Sequence, residues 1–305
     1  MMPRDEKVRT KLKFLLILHN NFLYMQFSNY HTHCIFCDGT AQPEEYIKKA
    51  IYQKMDALGF SSHAPVPFKN AWSIKPGKID DYCKTIIQQK EKYRNELKIF
   101  LALEADYIPG IISDFDYFRK QYHLDYIIGS VHLVKKNEKL WFIDGPEEGY
   151  VQGLQNIFDN NIHEAVECYY KQEAKMIANE KPDIIGHLDK VKMYNHDRFF
   201  LENDPWYIDA VENLLQIISK TGTIVEVNTR GQYKGKTNDL FPSTQILNRC
   251  LALNIPITIS SDAHKPEELT LHFSEALELL RSIGYKSIRK FHQGKWVEVS
   301  IYKNV

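Results

Sequence analysis

The chain has 305 residues, of which 44% are hydrophobic and 26% are charged, a balance typical of globular proteins and not of disordered ones. Its 39 basic residues equal its 39 acidic residues, and the lack of a basic excess argues against nucleic-acid binding and favours a small-molecule substrate. Five cysteines are an odd number, which argues against a disulfide framework and predicts a reducing, cytoplasmic location.

The N-terminal segment, residues 1–24, is predicted to be an extension that need not be ordered, followed by a single domain over residues 25–305. Its apolar run, residues 14–18, is shorter than the roughly 7–15 residues of a secretory signal core. No segment approaches the ~20 apolar residues that span a bilayer, so we expect no membrane association.

Beyond this segment, apolar runs rich in β-branched and aromatic residues alternate with stretches of helical periodicity. Strands are predicted at residues 26–30, 57–61, 98–103, 126–130, 183–186, 223–228 and 256–260. Helices are predicted at residues 43–50, 80–96, 163–180, 206–220, 243–253 and 266–283. Strands that alternate with helices pair in parallel, because a parallel crossover needs about a dozen residues. The sequence therefore predicts an α/β fold with a (β/α)₇ barrel, and a doubly wound open sheet is the alternative.

Histidines and acids recur at or just past the ends of the predicted strands. In a parallel barrel these strand ends meet at one rim, so we expect their side chains to converge. Imidazole nitrogens and carboxylate oxygens suit zinc, iron or manganese. The candidate metal ligands, in chain order, are His31, His33, Asp38, His63, Glu104, His132, His187, Asp262 and His264.

Nine ligands exceed the needs of one ion, which predicts two or three divalent ions with a carboxylate such as Glu104 bridging them. His31 and His33 are two residues apart, a spacing that points both rings to one side of a strand. A single histidine at a strand end is more commonly a hydrogen-bonded loop residue, and Asp262 could instead cap the helix that follows it. Such explanations would have to hold separately at each of the strand ends, so the metal site is favoured.

In order and spacing, the nine residues resemble the ligands of the polymerase and histidinol phosphatase (PHP) superfamily. Longer segments are similar to its histidinol-phosphatase branch, namely residues 59–65, 103–110, 125–132, 186–189, 227–230 and 261–268. The resemblance implies a distorted (β/α)₇ barrel with a trinuclear metal site at the C-terminal rim of the strands. It also implies hydrolysis of L-histidinol phosphate to L-histidinol and phosphate, a step of histidine biosynthesis. The N-terminal extension is a departure from the family, and Lys192 stands where some relatives have arginine.

The resemblance also suggests a mechanism. Two ions are expected on His31, His33, Glu104, His132 and Asp262. They would lower the pKa of a bridging water, and the resulting hydroxide would attack phosphorus. A third ion that binds phosphate oxygens is expected on Asp38, His63, His187 and His264. Asp262 or a nearby histidine would move a proton to the leaving oxygen. The predicted catalytic residues are therefore Asp262, Glu104 and His33.

Substrate contacts are less sharply indicated by the sequence. Arg230 follows a predicted strand, and its planar guanidinium suits a bidentate grip on phosphate. Lys192 and Lys265 are further candidates for phosphate binding. Recognition of the substrate's amine and imidazole is expected from acids and aromatics at the rim, with Trp72, Asp106, Tyr107 and Asp189 as candidates. The alternatives are action on another small phosphomonoester, a nuclease, an amidohydrolase-type deaminase, and a metal-storage protein without turnover.

Overall fold

The computed structural model describes residues 26–112 and 114–302. The predicted N-terminal extension lies outside the described residues. The strands are β1 (Ser28–Asn29), β2 (Ala57–Phe60), β3 (Lys98–Asp106), β4 (Tyr126–Ser130), β5 (Leu133–Lys136), β6 (Lys139–Phe142), β7 (Ile184–Ile185), β8 (Ile224–Asn228), β9 (Ile257–Ser260), β10 (Ser287–His292) and β11 (Lys295–Ser300). Seven of them form one parallel sheet in the order β1-β2-β3-β4-β7-β8-β9, while β5–β6 and β10–β11 are antiparallel hairpins.

The helices are α1 (Pro43–Tyr52), α2 (Ile79–Lys92), α3 (Phe115–Tyr122), α4 (Glu147–Phe158), α5 (Ile162–Glu180), α6 (Pro205–Thr221), α7 (Arg230–Tyr233), α8 (Thr244–Ala252) and α9 (Phe273–Ile283). Short 3₁₀ turns occupy Lys190–Lys192 and Pro266–Glu268. Local chemistry explains several helix ends. A capping box of Gln42 and Glu45 starts α1, and Gly222, at φ +74°, ends α6 in the left-handed conformation that glycine tolerates. Among the helices of the described residues, none is long and apolar enough to cross a membrane.

The sheet curls into a nearly closed barrel. Just past the end of β1, Thr32 forms a parallel bridge with Ala263, which follows β9. The backbone N–H of His33 donates to the Ala263 carbonyl at 2.8 Å, and that of Ala263 donates to the His31 carbonyl at 3.1 Å. This bridge joins the first strand to the last, which an open doubly wound sheet would not do. The predicted distorted (β/α)₇ barrel is therefore confirmed.

The inside of the barrel is apolar at the bottom and polar at the top. Along β3, the alternation of side chains brings Phe100, Ala102 and Glu104 to the same face. Phe100 and Ala102 belong to a buried cluster with Tyr30 and Phe291, so the β10–β11 hairpin closes the lower end. The Tyr30 hydroxyl accepts the Phe291 backbone N–H at 2.9 Å. The polar side chains are thereby confined to the rim at the carboxyl ends of the strands.

All seven predicted strands appear in the parallel sheet, within a few residues of their predicted bounds. The helix predicted over residues 266–283 is wrong as one element, because the 3₁₀ turn Pro266–Glu268 is separated from α9. Helices α3, α4 and α7 and the two hairpins are not indicated by the sequence pattern. The β5–β6 hairpin matters for function because, with the loop after it, it forms one wall of the cleft described below.

Candidate metal centre

Glu104 lies near the end of β3 and is only 1% exposed, with its carboxylate at the centre of the rim. Its Oε2 atom lies 3.1, 3.4 and 3.0 Å from ring nitrogens of His31, His33 and His63. Its Oε1 atom lies 3.4 and 3.0 Å from Nε2 of His132 and His187. A carboxylate with a separate set of imidazoles around each oxygen has the arrangement of a bridging ligand.

The two remaining acids complete the set. Asp262 Oδ1 lies 3.2 Å from His33 Nε2 and 3.4 Å from His264 Nδ1. Asp38, whose side chain is a third exposed, lies nearer the mouth, with Oδ1 3.3 Å from His264 Nε2 and 3.8 Å from His63 Nε2. All nine side chains singled out in the sequence therefore meet at one rim.

Ligand-type atoms of eight of these nine side chains fall into three overlapping groups, within each of which the atoms lie no more than 4.8 Å apart. The groups are His33, Asp38, His63 and His264; His31, His33 and Asp262; and His63, Glu104 and His132. These groups do not follow the expected partition of ligands, because His33 and His63 each belong to two of them and His187 belongs to none. His187 does not lie with Asp38, because its Nε2 is 3.0 Å from Glu104 and 3.1 Å from Nε2 of His132.

The donor set fits divalent metal ions. Nε2 of His31, Nε2 of His33 and Nδ1 of His63 are buried, and none of them makes a hydrogen bond to any described residue. Leaving a buried polar atom unpaired costs about 1–3 kcal/mol. A cation held between these nitrogens and the facing carboxylates would remove that cost, and imidazole with carboxylate is a ligand set typical of zinc.

The electrostatics agree with this assignment. Burial alone would raise the pKa of Glu104, but the charges of His31, His63 and His132 hold it well below its usual range. Burial, reinforced by the neighbouring His264 and His63, lowers the pKa of His33, so its ring is neutral, as a metal ligand must be. Burial acts against a proton on His31, yet the charges of Glu226, Glu104 and Asp262 together raise its pKa. A metal ion would take the place of that proton.

Two buried acids support the histidines from behind. Asp106 accepts from the ring Nδ1 of His132 at 2.9 Å and from its backbone N–H at 3.1 Å. Burial opposes the charged form of His132, but Asp106 and Glu104 outweigh it and raise its pKa to about 9. Asp106 is 3% exposed and so orients a histidine, which corrects its expected place at the substrate-binding rim. Glu226, in β8, supports His31 in the same way and was missed in the sequence.

A cleft of about 190 Å³ opens over the metal-ligand set. It is lined by Asp38, His63, Trp72, His132, Leu133, Phe142, Asp144, Gly145, Arg230, Asp262 and His264. Arg230 is held by two hydrogen bonds from Nη1, to the Asp262 carbonyl at 2.8 Å and the Tyr233 hydroxyl at 3.1 Å. Its position at the cleft agrees with the phosphate contact predicted for it.

The two lysines predicted to bind phosphate do not line the cleft. Lys192 is 4% exposed, and its Nζ lies 2.9 Å from Asp189 and 3.2 Å from Glu202, so its charge is already paired. This pairing also removes Asp189 from the candidates for substrate recognition. Lys265 is exposed and begins the turn Pro266–Glu268. The phosphate assignment of Lys192 is therefore corrected, and that of Lys265, which is not among the residues that line the cleft, stays a prediction.

A different lysine approaches the cleft. Lys190 is 3% exposed, and its Nζ lies 2.9 Å from Asp144 Oδ2. Asp144 follows the β5–β6 hairpin, and its Oδ2 is 3.9 Å from His132 Nε2. This pair was not found from the sequence, because the hairpin that carries Asp144 to the rim was itself not predicted.

Comparison with known proteins gives consistent relatives. The family model described as PHP domain matches residues 29–230. A probable histidinol-phosphatase of Deinococcus radiodurans is 26% identical over 266 residues, covering 86% of this chain and 96% of that protein. The histidinol-phosphatase of Bacillus subtilis is 25% identical over 270 residues, covering 83% of this chain and 99% of that protein.

Among solved structures, the chain resembles a histidinol phosphate phosphatase of Lactococcus lactis described as complexed with zinc, L-histidinol and phosphate. The TM-score is 0.67 at 22% identity, with 89% of this chain and 99% of the other covered. At this level of identity the likeness establishes a shared fold.

Proposed function

Because the chain belongs to the PHP domain family, we propose that it is a metal-dependent phosphomonoesterase that hydrolyses L-histidinol phosphate to L-histidinol and phosphate. The reaction is a step of histidine biosynthesis that we expect to take place in the cytoplasm. The observation that carries the proposal is the convergence of six histidines and three acids beneath a cleft that also presents Arg230. The names of the relatives support the choice of substrate.

Two to three divalent ions (zinc, iron or manganese) would be held by His31, His33, Asp38, His63, Glu104, His132, His187, Asp262 and His264. When bound, such ions neutralise charge on phosphate oxygens and lower the pKa of a coordinated water towards 7. Glu104 would bridge, because its two oxygens face different histidines. The neutral ring of His33 lies between Glu104 and Asp262, which makes it a shared member of the set.

The chain's own residues would bind the phosphate and move the proton. The hydrogen bonds of the described residues use only Nη1 of the Arg230 guanidinium, which leaves Nη2 for a phosphate oxygen. Asp262 lies between the ligand set and Arg230, with Oδ1 towards His33 and Oδ2 3.8 Å from Arg230 Nε. From this position the Asp262 carboxylate would take up the proton of the attacking water and pass it to the leaving alcohol oxygen.

The organic part of the substrate would lie against the aromatic side chains of the cleft. Trp72 packs edge-to-face on His63 with ring centroids 5.2 Å apart, and Phe142 is 44% exposed within the same cleft. Two aromatic rings suit a flat imidazole, and the Asp144 carboxylate, which is 39% exposed beside its partner Lys190 where Asp189 is fully buried, suits a protonated amine. The cleft volume of about 190 Å³, below the roughly 300–1,000 Å³ of drug-sized sites, suits a small ester.

The test is phosphate release from L-histidinol phosphate and from p-nitrophenyl phosphate by the purified protein, together with its metal content by elemental analysis. We expect two to three metals per chain and a kcat/KM that strongly favours L-histidinol phosphate. The matched variant Glu104→Gln should lose metal and turnover together, because one oxygen of the bridge becomes an amide nitrogen. Equal activity on both esters would refute the assignment of L-histidinol phosphate as the substrate. Full activity of the Glu104→Gln variant would refute the metal-dependent mechanism.

A further inference from the structure

Glu226 is a buried acid that does not face the cleft. It lies in β8, where side-chain alternation brings Ile224, Glu226 and Asn228 to the barrel interior, and its exposure is 0%. Its Oε1 atom is 2.6 Å from Nδ1 of His31. Its Oε2 atom accepts the backbone N–H of His187 at 2.8 Å and the Asn228 side-chain amide at 3.0 Å. One carboxylate thus touches two histidines that belong to different parts of the metal-ligand set.

The contact with His31 decides which ring nitrogen is free. A carboxylate accepts hydrogen bonds and has none to donate, so it holds the ring proton on Nδ1. The lone pair of a neutral ring then lies on Nε2, the atom that faces Glu104 Oε2 at 3.1 Å and Asp262 Oδ1 at 3.8 Å. A carboxylate behind a ligating histidine also raises the basicity of the ring.

The contact with His187 fixes the backbone rather than the ring. His187 has φ +23°, a conformation that is costly for a residue with a side chain. The hydrogen bond from its N–H to Glu226 holds this conformation, in which the His187 ring reaches Glu104 Oε1 at 3.0 Å. Glu226 therefore contacts one histidine that faces Oε2 of Glu104 and another that faces Oε1.

We propose that Glu226 is a positioning residue that orients His31 through its ring and His187 through its backbone, and so sets the metal affinity of both sides of the site. The inference rests on the metal site proposed above. It goes beyond that site because Glu226 would bind neither metal nor substrate.

The variant Glu226→Gln separates this role from simple packing, because glutamine has nearly the same shape. Its amide oxygen should take the position of Oε2, where two donors converge, and its NH₂ group should then face Nδ1 of His31. Facing a donor, Nδ1 must become an acceptor, and the ring proton moves to Nε2. His31 would then be unable to bind metal through Nε2.

The matched control is Glu173→Gln, another isosteric change at a glutamate of 0% exposure, located in α5. Both zinc-loaded variants and the wild type are titrated with a competing chelator, and bound zinc is counted. We expect zinc affinity to fall about 10–100-fold in Glu226→Gln, the range typical of lost outer-shell partners, and to be unchanged in the control. A purely structural defect would instead lower the thermal stability of the metal-free protein.

A second measurement needs no variant of Glu226. In wild-type zinc-loaded protein with ¹⁵N-labelled histidine, NMR should show the His31 proton on Nδ1, in a strong hydrogen bond. A proton on Nε2, or wild-type zinc affinity in Glu226→Gln, would overturn the inference alone. A wild-type chain that holds no zinc would overturn the proposed metal site and this inference with it.

Discussion

Glu173 offers a test of the electrostatics of the fold that does not depend on catalysis. It lies in α5 with 0% exposure, and neither carboxyl oxygen has a hydrogen-bond partner among the described residues. The adjacent Tyr169 hydroxyl donates to the Leu188 carbonyl at 3.0 Å instead. Burial therefore raises the pKa of Glu173 to about 8, with smaller opposing effects of the Tyr169 hydroxyl and the charge of His132, while the charge of Asp106 adds to the rise. Near neutral pH this side chain is protonated in the folded chain.

The sign of the effect follows from the two pKa values. Below the ordinary pKa of 4.5, Glu173 is protonated in both states and contributes nothing to the pH dependence. Between 4.5 and about 8 only the folded state keeps the proton, so stability falls as pH rises, and above about 8 it is constant. A difference of one bound proton between the folded and unfolded states changes the free energy of unfolding by about 1.4 kcal/mol per pH unit. Over the whole interval from 4.5 to about 8 the loss of stability is therefore about 5 kcal/mol.

The variant Glu173→Gln removes the titrating group and keeps its shape. Its unfolding free energy minus that of the wild type should therefore grow with pH, by about 3 kcal/mol between pH 5.5 and 7.5. Urea denaturation of both proteins at equal free zinc measures this difference, and a common metal contribution cancels. Glu138→Gln, at a side chain 94% exposed, should give a difference that does not change with pH. A flat difference for Glu173→Gln as well would refute the assignment of a buried, neutral carboxyl group.

Two further predictions concern the cleft. Arg230→Gln should lower kcat/KM for L-histidinol phosphate about 10- to 150-fold, the equivalent of one charge-assisted hydrogen bond of about 1.5–3 kcal/mol. Arg249→Gln, which breaks a pair with Glu212 outside the cleft, should change nothing, and an unchanged Arg230→Gln would exclude the phosphate contact. Asp144→Asn should lower the kcat/KM ratio of L-histidinol phosphate to p-nitrophenyl phosphate by about tenfold or more, because only the former carries an amine. A similar loss on both esters would assign Asp144 to the metal site instead of to substrate selection.

The sequence predicted the strands and the ligand-type positions well, because each of them depends on a local pattern. Each parallel strand is a short apolar run, and the topology then carries the residue after each strand to the same rim, so the nine ligand-type positions could be predicted together. Nothing local indicated that His187 would lie beside His132, because that neighbourhood depends on the pairing of β4 with β7. For Lys192, the local sequence predicted a phosphate contact that the fold does not allow. Its residue type suits phosphate, but a 3₁₀ turn aims it at Asp189 and Glu202.

The missed residue Glu226 shows which signal was present and unused. In β3 the inward positions are Phe100, Ala102 and Glu104, and in β8 the charged position Glu226 again follows an inward apolar residue, Ile224. Burying a carboxylate among apolar strands costs free energy unless charged or polar groups pair with it. An acid at an inward position of a barrel strand therefore itself predicts a polar cluster next to it. Glu104 satisfies that demand by facing the histidines that would hold metal, and Glu226 satisfies it one layer further from the cleft. A strand residue of this kind should therefore be assigned by its place in the alternation, even where no ligand motif surrounds it.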